Sequence, residues 1–146
     1  MKRMPYSFAL MSLLAMLLIS CGKSGAPSCS DSDVTSTAVE LLTKGLPLQY
    51  LNGRAMVSDC LNHTLMSLDL SQIATLKVND ECVDKELDGA RAYVAKVRSQ
   101  GFTSIRTTSR DDGLKKVTCT GDLAEYHNIQ YSAQYTDDGQ TYVEVY

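Results

Sequence analysis

The chain is poor in the residues and motifs that carry chemistry. Its 146 residues include two histidines, His63 and His127. A Ser-His-Asp or Cys-His arrangement would need one of them beside a nucleophile. There is no G-x-S-x-G, H-E-x-x-H or P-loop pattern. There is also no C-x-x-C, and Cys60-x-x-His63 is a half-motif with no second half, so no metal site and no cofactor are expected. The longest apolar run, Phe8 to Ile19, is 12 residues. As a helix it would reach about 18 Å, short of the roughly 30 Å core of a bilayer. The formal charge of −3 argues against nucleic acid as a general partner.

What is present begins at the N-terminus. Lys2 and Arg3 precede the apolar run in the order of a signal peptide. The run ends in Leu18-Ile19-Ser20-Cys21, which resembles the lipobox of bacterial lipoproteins. The resemblance implies removal of residues 1–20 and acylation of Cys21. Two or three acyl chains would then hold the protein on a membrane, where one alone binds marginally. Gly22 stands where an aspartate would favour the inner membrane, which implies the outer membrane, facing the periplasm. Residues 21–30 are small and polar and read as a lipidated, flexible tether. Residues 31–146 suffice for a single domain.

Four further cysteines, Cys29, Cys60, Cys82 and Cys119, form an even set. In an oxidising compartment that implies two disulfides, with three pairings open. The favoured set is Cys29–Cys119, tying the start of the first helix to a central strand, with Cys60–Cys82 closing a local loop.

Ser30 or Ser32 is placed to cap a first helix carrying Val34, Ala38, Leu41 and Leu42 on one face, with Gly45 and Pro47 beyond its end. Asn52-Gly53 is a candidate turn. Leu68 to Val78 alternates as a strand with a break near Ser71-Gln72. Leu87, Ala90, Val94 and Val97 predict a second helix over Asp84–Ser99, stopped by Gly101. Four strands follow: Phe102–Ser109, Leu114–Thr120, His127–Thr136 and Thr141–Tyr146. They are joined in part by Asp111-Asp112-Gly113 and Asp137-Asp138-Gly139, carboxylate pairs better explained by turns than by catalysis. The expected fold is α+β, one or two helices on a curved antiparallel sheet of four to five strands ending in a β-meander.

The pieces Pro27-Ser28-Cys29-Ser30-Asp31, Ile105-Arg106-Thr107-Thr108, Val117-Thr118-Cys119, Ile129-Gln130-Tyr131 and Asp138-Gly139-Gln140-Thr141-Tyr142-Val143-Glu144-Val145 resemble a pattern in small bacterial envelope lipoproteins. That resemblance implies one helix wrapped by a curved sheet, similar to cystatin-like or nuclear-transport-factor-2-like domains. It supports the Cys29–Cys119 pairing and leaves residues 46–100 as an insertion.

Function is reached by elimination. Residues 85–116 carry eight Lys or Arg, whereas 117–146 carry five Asp or Glu and neither cation. Tyr126, Tyr131, Tyr135, Tyr142 and Tyr146 cluster in the same acidic stretch, and tyrosine suits interfaces. The expectation is a non-enzymatic, lipid-anchored module that binds an envelope protein through this surface, an inhibitor or immunity factor being one form. The rival expectations are a small-ligand or weakly hydrolytic pocket using His127 or a carboxylate, and a structural part of an envelope assembly.

Overall fold

A computed structural model describes residues 25–62, 68–70 and 73–146. The signal segment, Cys21 and His63 lie outside the described residues. The chain runs α1 (Ser32–Thr43), α2 (Leu46–Ala55), α3 (Asp59–Asn62), α4 (Glu81–Gln100), β1 (Phe102–Asp111), β2 (Lys116–Leu123), β3 (Tyr126–Tyr135) and β4 (Thr141–Val145). The strands pair in sequence order as one open antiparallel sheet. The architecture is α+β with a closing β-meander, as the alternating pattern of the C-terminal third predicts.

Period-two alternation does the work in the sheet. In β2, Val117, Cys119, Gly121 and Leu123 are buried, and the residues between them are half-exposed. In β3, Tyr131 and Ala133 share that inner face. α1 lays Val34 and Ala38 on it, forming one cluster with Val117, Cys119, Tyr131, Ala133 and Val143. A second cluster, Leu51, Leu61, Val83, Leu87 and Ala90, belongs to α2, α3 and α4. Residues 46–100 thus pack around a core of their own. Val39, Leu46, Val97 and Leu123 join the two.

Several local expectations are corrected. Asn52-Gly53 lies inside α2 and makes no hairpin. Pro47 lies beyond the end of α1, as expected, but it also stands in the first turn of a further helix, α2, where its missing N–H costs nothing. Asp31, not Ser30 or Ser32, is the N-cap of α1, and its carboxylate turns back to accept the Ser28 N–H at 2.9 Å. Leu68–Val78 forms no strand in its described residues. Leu68, Leu70, Ile73, Leu76 and Val78 pack instead on the α2–α4 core. Arg91 of α4 donates to the carbonyls of Ile73 and Leu76, taking acceptors that a ladder would need. α4 starts three residues early, because the Asp80 side chain accepts the Val83 N–H at 3.1 Å. It ends at Gly101 with φ +62°, which glycine adopts readily.

The tether ends sooner than residue 30. Ala26 and Cys29 are 7 % and 3 % exposed, and Pro27 is fully buried. The Ala26 N–H donates to Asp112 Oδ1 at 2.9 Å, and Arg110 Nη2 donates to the Ala26 carbonyl at 2.8 Å. Gly25, at φ +86°, turns the chain there, and a Cβ on it would meet Asp112 Oδ1 at 3.0 Å.

Both disulfides form as favoured, Cys29–Cys119 with Cα atoms 5.7 Å apart and Cys60–Cys82 with 6.2 Å. Their sequence separations of 90 and 22 residues correspond to about 4–5 and about 3 kcal/mol of lost unfolded-chain entropy. Cys29 and Cys119 are buried, whereas Cys82 is exposed on the first turn of α4. Graded dithiothreitol followed by alkylation and peptide mass mapping should therefore label Cys60 and Cys82 first. Labelling of Cys29 and Cys119 at lower reductant would contradict this packing.

Candidate protein-binding surface

The five tyrosines of the C-terminal stretch fall into three environments. Tyr131 is no part of a surface, which corrects the expectation that it binds a partner. It is fully buried, its ring 5.0 Å from that of Phe102, and its hydroxyl donates to the Cys29 carbonyl at 3.0 Å. Burial raises its pKa. Inward parity in β3 and the need to satisfy a buried hydroxyl place it beneath the strap at Cys29.

Tyr126 is half-buried in a second cluster. Its hydroxyl is 2.9 Å from the Tyr93 hydroxyl and donates to Gln49 Oε1 at 3.2 Å. Tyr93 donates to Glu125 and stacks on Tyr50 at 5.5 Å. Burial first, then the Glu125 carboxylate, pushes the Tyr93 hydroxyl well up. These groups fasten α2 and α4 to the β2–β3 turn, so Tyr126 is a structural clasp. Tyr135 is half-buried and lines a 270 Å³ hollow with Asp31, Ser32, Asp33 and Thr141.

Tyr142 and Tyr146 remain, 54 % and 68 % exposed. Tyr142 in β4 and Tyr146 just beyond its end share the outer sheet face with Glu144, while Val143 turns inward to the core. Both hydroxyls donate to Glu144, Tyr146 to Oε2 at 3.1 Å and Tyr142 to Oε1 at 3.2 Å. Tyr146 also reaches Ser132 Oγ at 3.1 Å and lies across the sheet, leaving Ser132 only 2 % exposed. The Tyr146 and Tyr142 hydroxyls hold the Glu144 carboxyl below its usual range. Lys116 stands at 3.8 Å. Two aromatic rings are thus fixed in advance around one carboxylate, which lowers the ordering cost of any contact made there.

Beside this trio runs an open groove of about 620 Å³, lined by Leu41, Leu42 and Gly45 of α1 and its C-terminal end and by residues 142–146. Another groove, of about 740 Å³, lies between α1 and β1, with Ser32, Thr35 and Ser36 on one wall and Phe102 and Ile105 on the other.

His127 lines none of these hollows. Its Nδ1 is 3.6 Å from Asp122 Oδ1, and its side chain is 68 % exposed. Asp122 chiefly accepts the Asn128 N–H at 2.9 Å, which holds its carboxyl low. The arrangement pins Asn128, at φ +55°, in the irregular part of the β2–β3 ladder. Among the described residues no three His, Cys, Asp or Glu side chains gather as for a metal ion. The Asp111-Asp112-Gly113 turn has a role beyond turning: the Ala26 N–H first, then Arg110, holds the Asp112 carboxyl low. Only the φ preference of the turn was legible there, since Ala26 is 86 positions away.

No family model, curated protein or solved structure matches the chain.

Tyr131→Phe should destabilise the fold by about 1–3 kcal/mol in denaturant unfolding, because the buried Cys29 carbonyl loses its donor. Tyr146→Phe should leave stability nearly unchanged. It should instead raise the Glu144 titration midpoint in a carboxyl-resolved NMR titration. The sign follows from the depressed folded-state pKa: the interaction holds above the ordinary carboxylate range and fades as pH falls through the lowered value. An unmoved midpoint would contradict the bonding described.

Proposed function

We propose that this chain is a non-enzymatic, lipid-anchored module of a bacterial cell envelope that binds another protein. The anchor is Cys21, placed by the Leu18-Ile19-Ser20-Cys21 sequence, and the setting is the outer membrane facing the periplasm. The observation that carries the binding role is the exposed Tyr142–Glu144–Tyr146 trio. Exposed tyrosines usually cost entropy when a partner orders them. Here hydroxyl–carboxylate bonds have already restrained both rings. The paired cysteines suit an exported domain.

The anchor and the surface have separate tests. Cys21→Ser should abolish acylation and with it the removal of residues 1–20, so the variant should run as a larger, unacylated precursor. The N-terminal peptide of the wild-type protein should carry a diacylglyceryl mass. For the surface, a photo-crosslinking amino acid in place of Gln134, next to Tyr142 across the β3–β4 ladder, should yield one discrete adduct in cells. Tyr142→Ala with Tyr146→Ala should remove that adduct without changing the protein's level. Absence of an adduct, or an adduct indifferent to both changes, would overturn the binding role.

A further inference from the structure

The two edges of the sheet are built differently. β1 is interrupted twice in its pairing with β2, between Thr103 and Arg106 and between Thr107 and Ser109. Ser104 sits at φ +51°, and Arg106 and Arg110 stand along the strand. Such bulges and charges are how an edge is closed to further strands. β4 pairs with β3 without a break and carries no proline. Its end hydrogen bonds, Thr136 N–H to the Gln140 carbonyl and Tyr146 N–H to the Gln130 carbonyl, set the parity of the ladder. Even-numbered residues therefore pair with β3, and the main-chain groups of Thr141, Val143 and Val145 point away from it. Val143 is buried, so the opening lies at half-buried Val145, where the groove beside Leu41 and Leu42 begins.

A segment lying along this edge would meet two different surfaces at alternate residues. Toward α1 it would find the apolar walls of Leu41, Leu42 and Val145. Toward the outer face it would find the Glu144 carboxylate between two tyrosine rings, a setting for a cation. Residues 117–146 carry five acids and no Lys or Arg, and the cation nearest Glu144 is Lys116 of β2, at 3.8 Å. A second copy of the chain fits poorly. It would bring a strand whose one charged residue is again Glu144, and five paired residues span only about 17 Å, too little for the roughly 1,200 Å² of a stable interface.

From this we infer that the β4 edge receives an extended segment of a partner protein, with Lys or Arg facing Glu144 and apolar side chains between them facing the α1 groove. The inference rests on the binding role above and names the chemistry of the partner.

The test uses the full chain carrying Cys21→Ser and two synthetic peptides with blocked ends, one alternating valine with lysine, the other valine with glutamate. In NMR titrations the lysine peptide should shift the signals of Leu41, Leu42, Val145 and Tyr146. It should also slow exchange of the Val145 amide. Its affinity should drop about fivefold for Glu144→Gln, the scale of an exposed ion pair, and fall with added salt. The glutamate peptide should bind more weakly still. Equal binding of both peptides, shifts confined to β1, or no shift at millimolar lysine peptide would each overturn the inference. Should the crosslink at position 134 still form while the lysine peptide fails, the binding role stands and the basic segment does not.

Discussion

The Cys29–Cys119 bond fastens the strap before α1 to the middle of β2, and much of the sheet's inner face is arranged around it. Cys119 is fully buried in the second strand, with β1 on one side and β3 on the other. The Tyr131 hydroxyl satisfies the Cys29 carbonyl from β3, and Thr107 of β1 donates to Cys29 Sγ at 3.3 Å. Three strands therefore converge on one residue of the strap. Asp112 and Arg110 hold Ala26 a few residues earlier. With that strap fixed, α1 starts where its apolar stripe must fall on Val117, Ala133 and Val143.

Position follows from that constraint. α1 reaches the β4 side of the sheet, where Leu41 and Leu42 form one wall of the groove. A lipid at Cys21 would stand only a few residues before the strap at Ala26. The strap is first held at the β1–β2 turn, by Arg110 and Asp112, before it reaches the middle of β2 at Cys119. The helices α2–α4 take little part in this. They have their own core, their own disulfide and the Arg54–Glu86 ion pair, in which both Arg54 Nε and Nη2 donate to the carboxylate at 2.7–2.8 Å.

The legible parts of the fold were those whose periodicity matches burial. Ile129, Tyr131, Ala133 and Tyr135 alternate as a strand and form one, and Leu87, Ala90, Val94 and Val97 repeat as a helix and form one. Leu68 to Val78 alternates as well, yet its packing partner is a helical core, and Arg91 takes two of its carbonyls. A strand pattern with no neighbouring strand is only an apolar loop. α2 was hidden by Asn52 and Gly53, weak helix formers held by the contacts of Leu51. Pro47 was the available sign, as a helix-opening residue. Among the tyrosines, composition marked the right strands but not the roles. Tyr131 and Tyr146 differ by which face of the sheet they occupy and by partners far away in sequence.

The strap at Cys29 fastens α1 to the sheet, while residues 46–100 pack on a core of their own. Native-state hydrogen exchange on the Cys29→Ser/Cys119→Ser double variant tests it directly. Amides of β2, β3 and α1 should lose protection strongly, while those of α4 around Leu87 and Ala90 keep most of theirs. Equal loss across α4 and the sheet, or a sheet unchanged by removal of the bond, would contradict it.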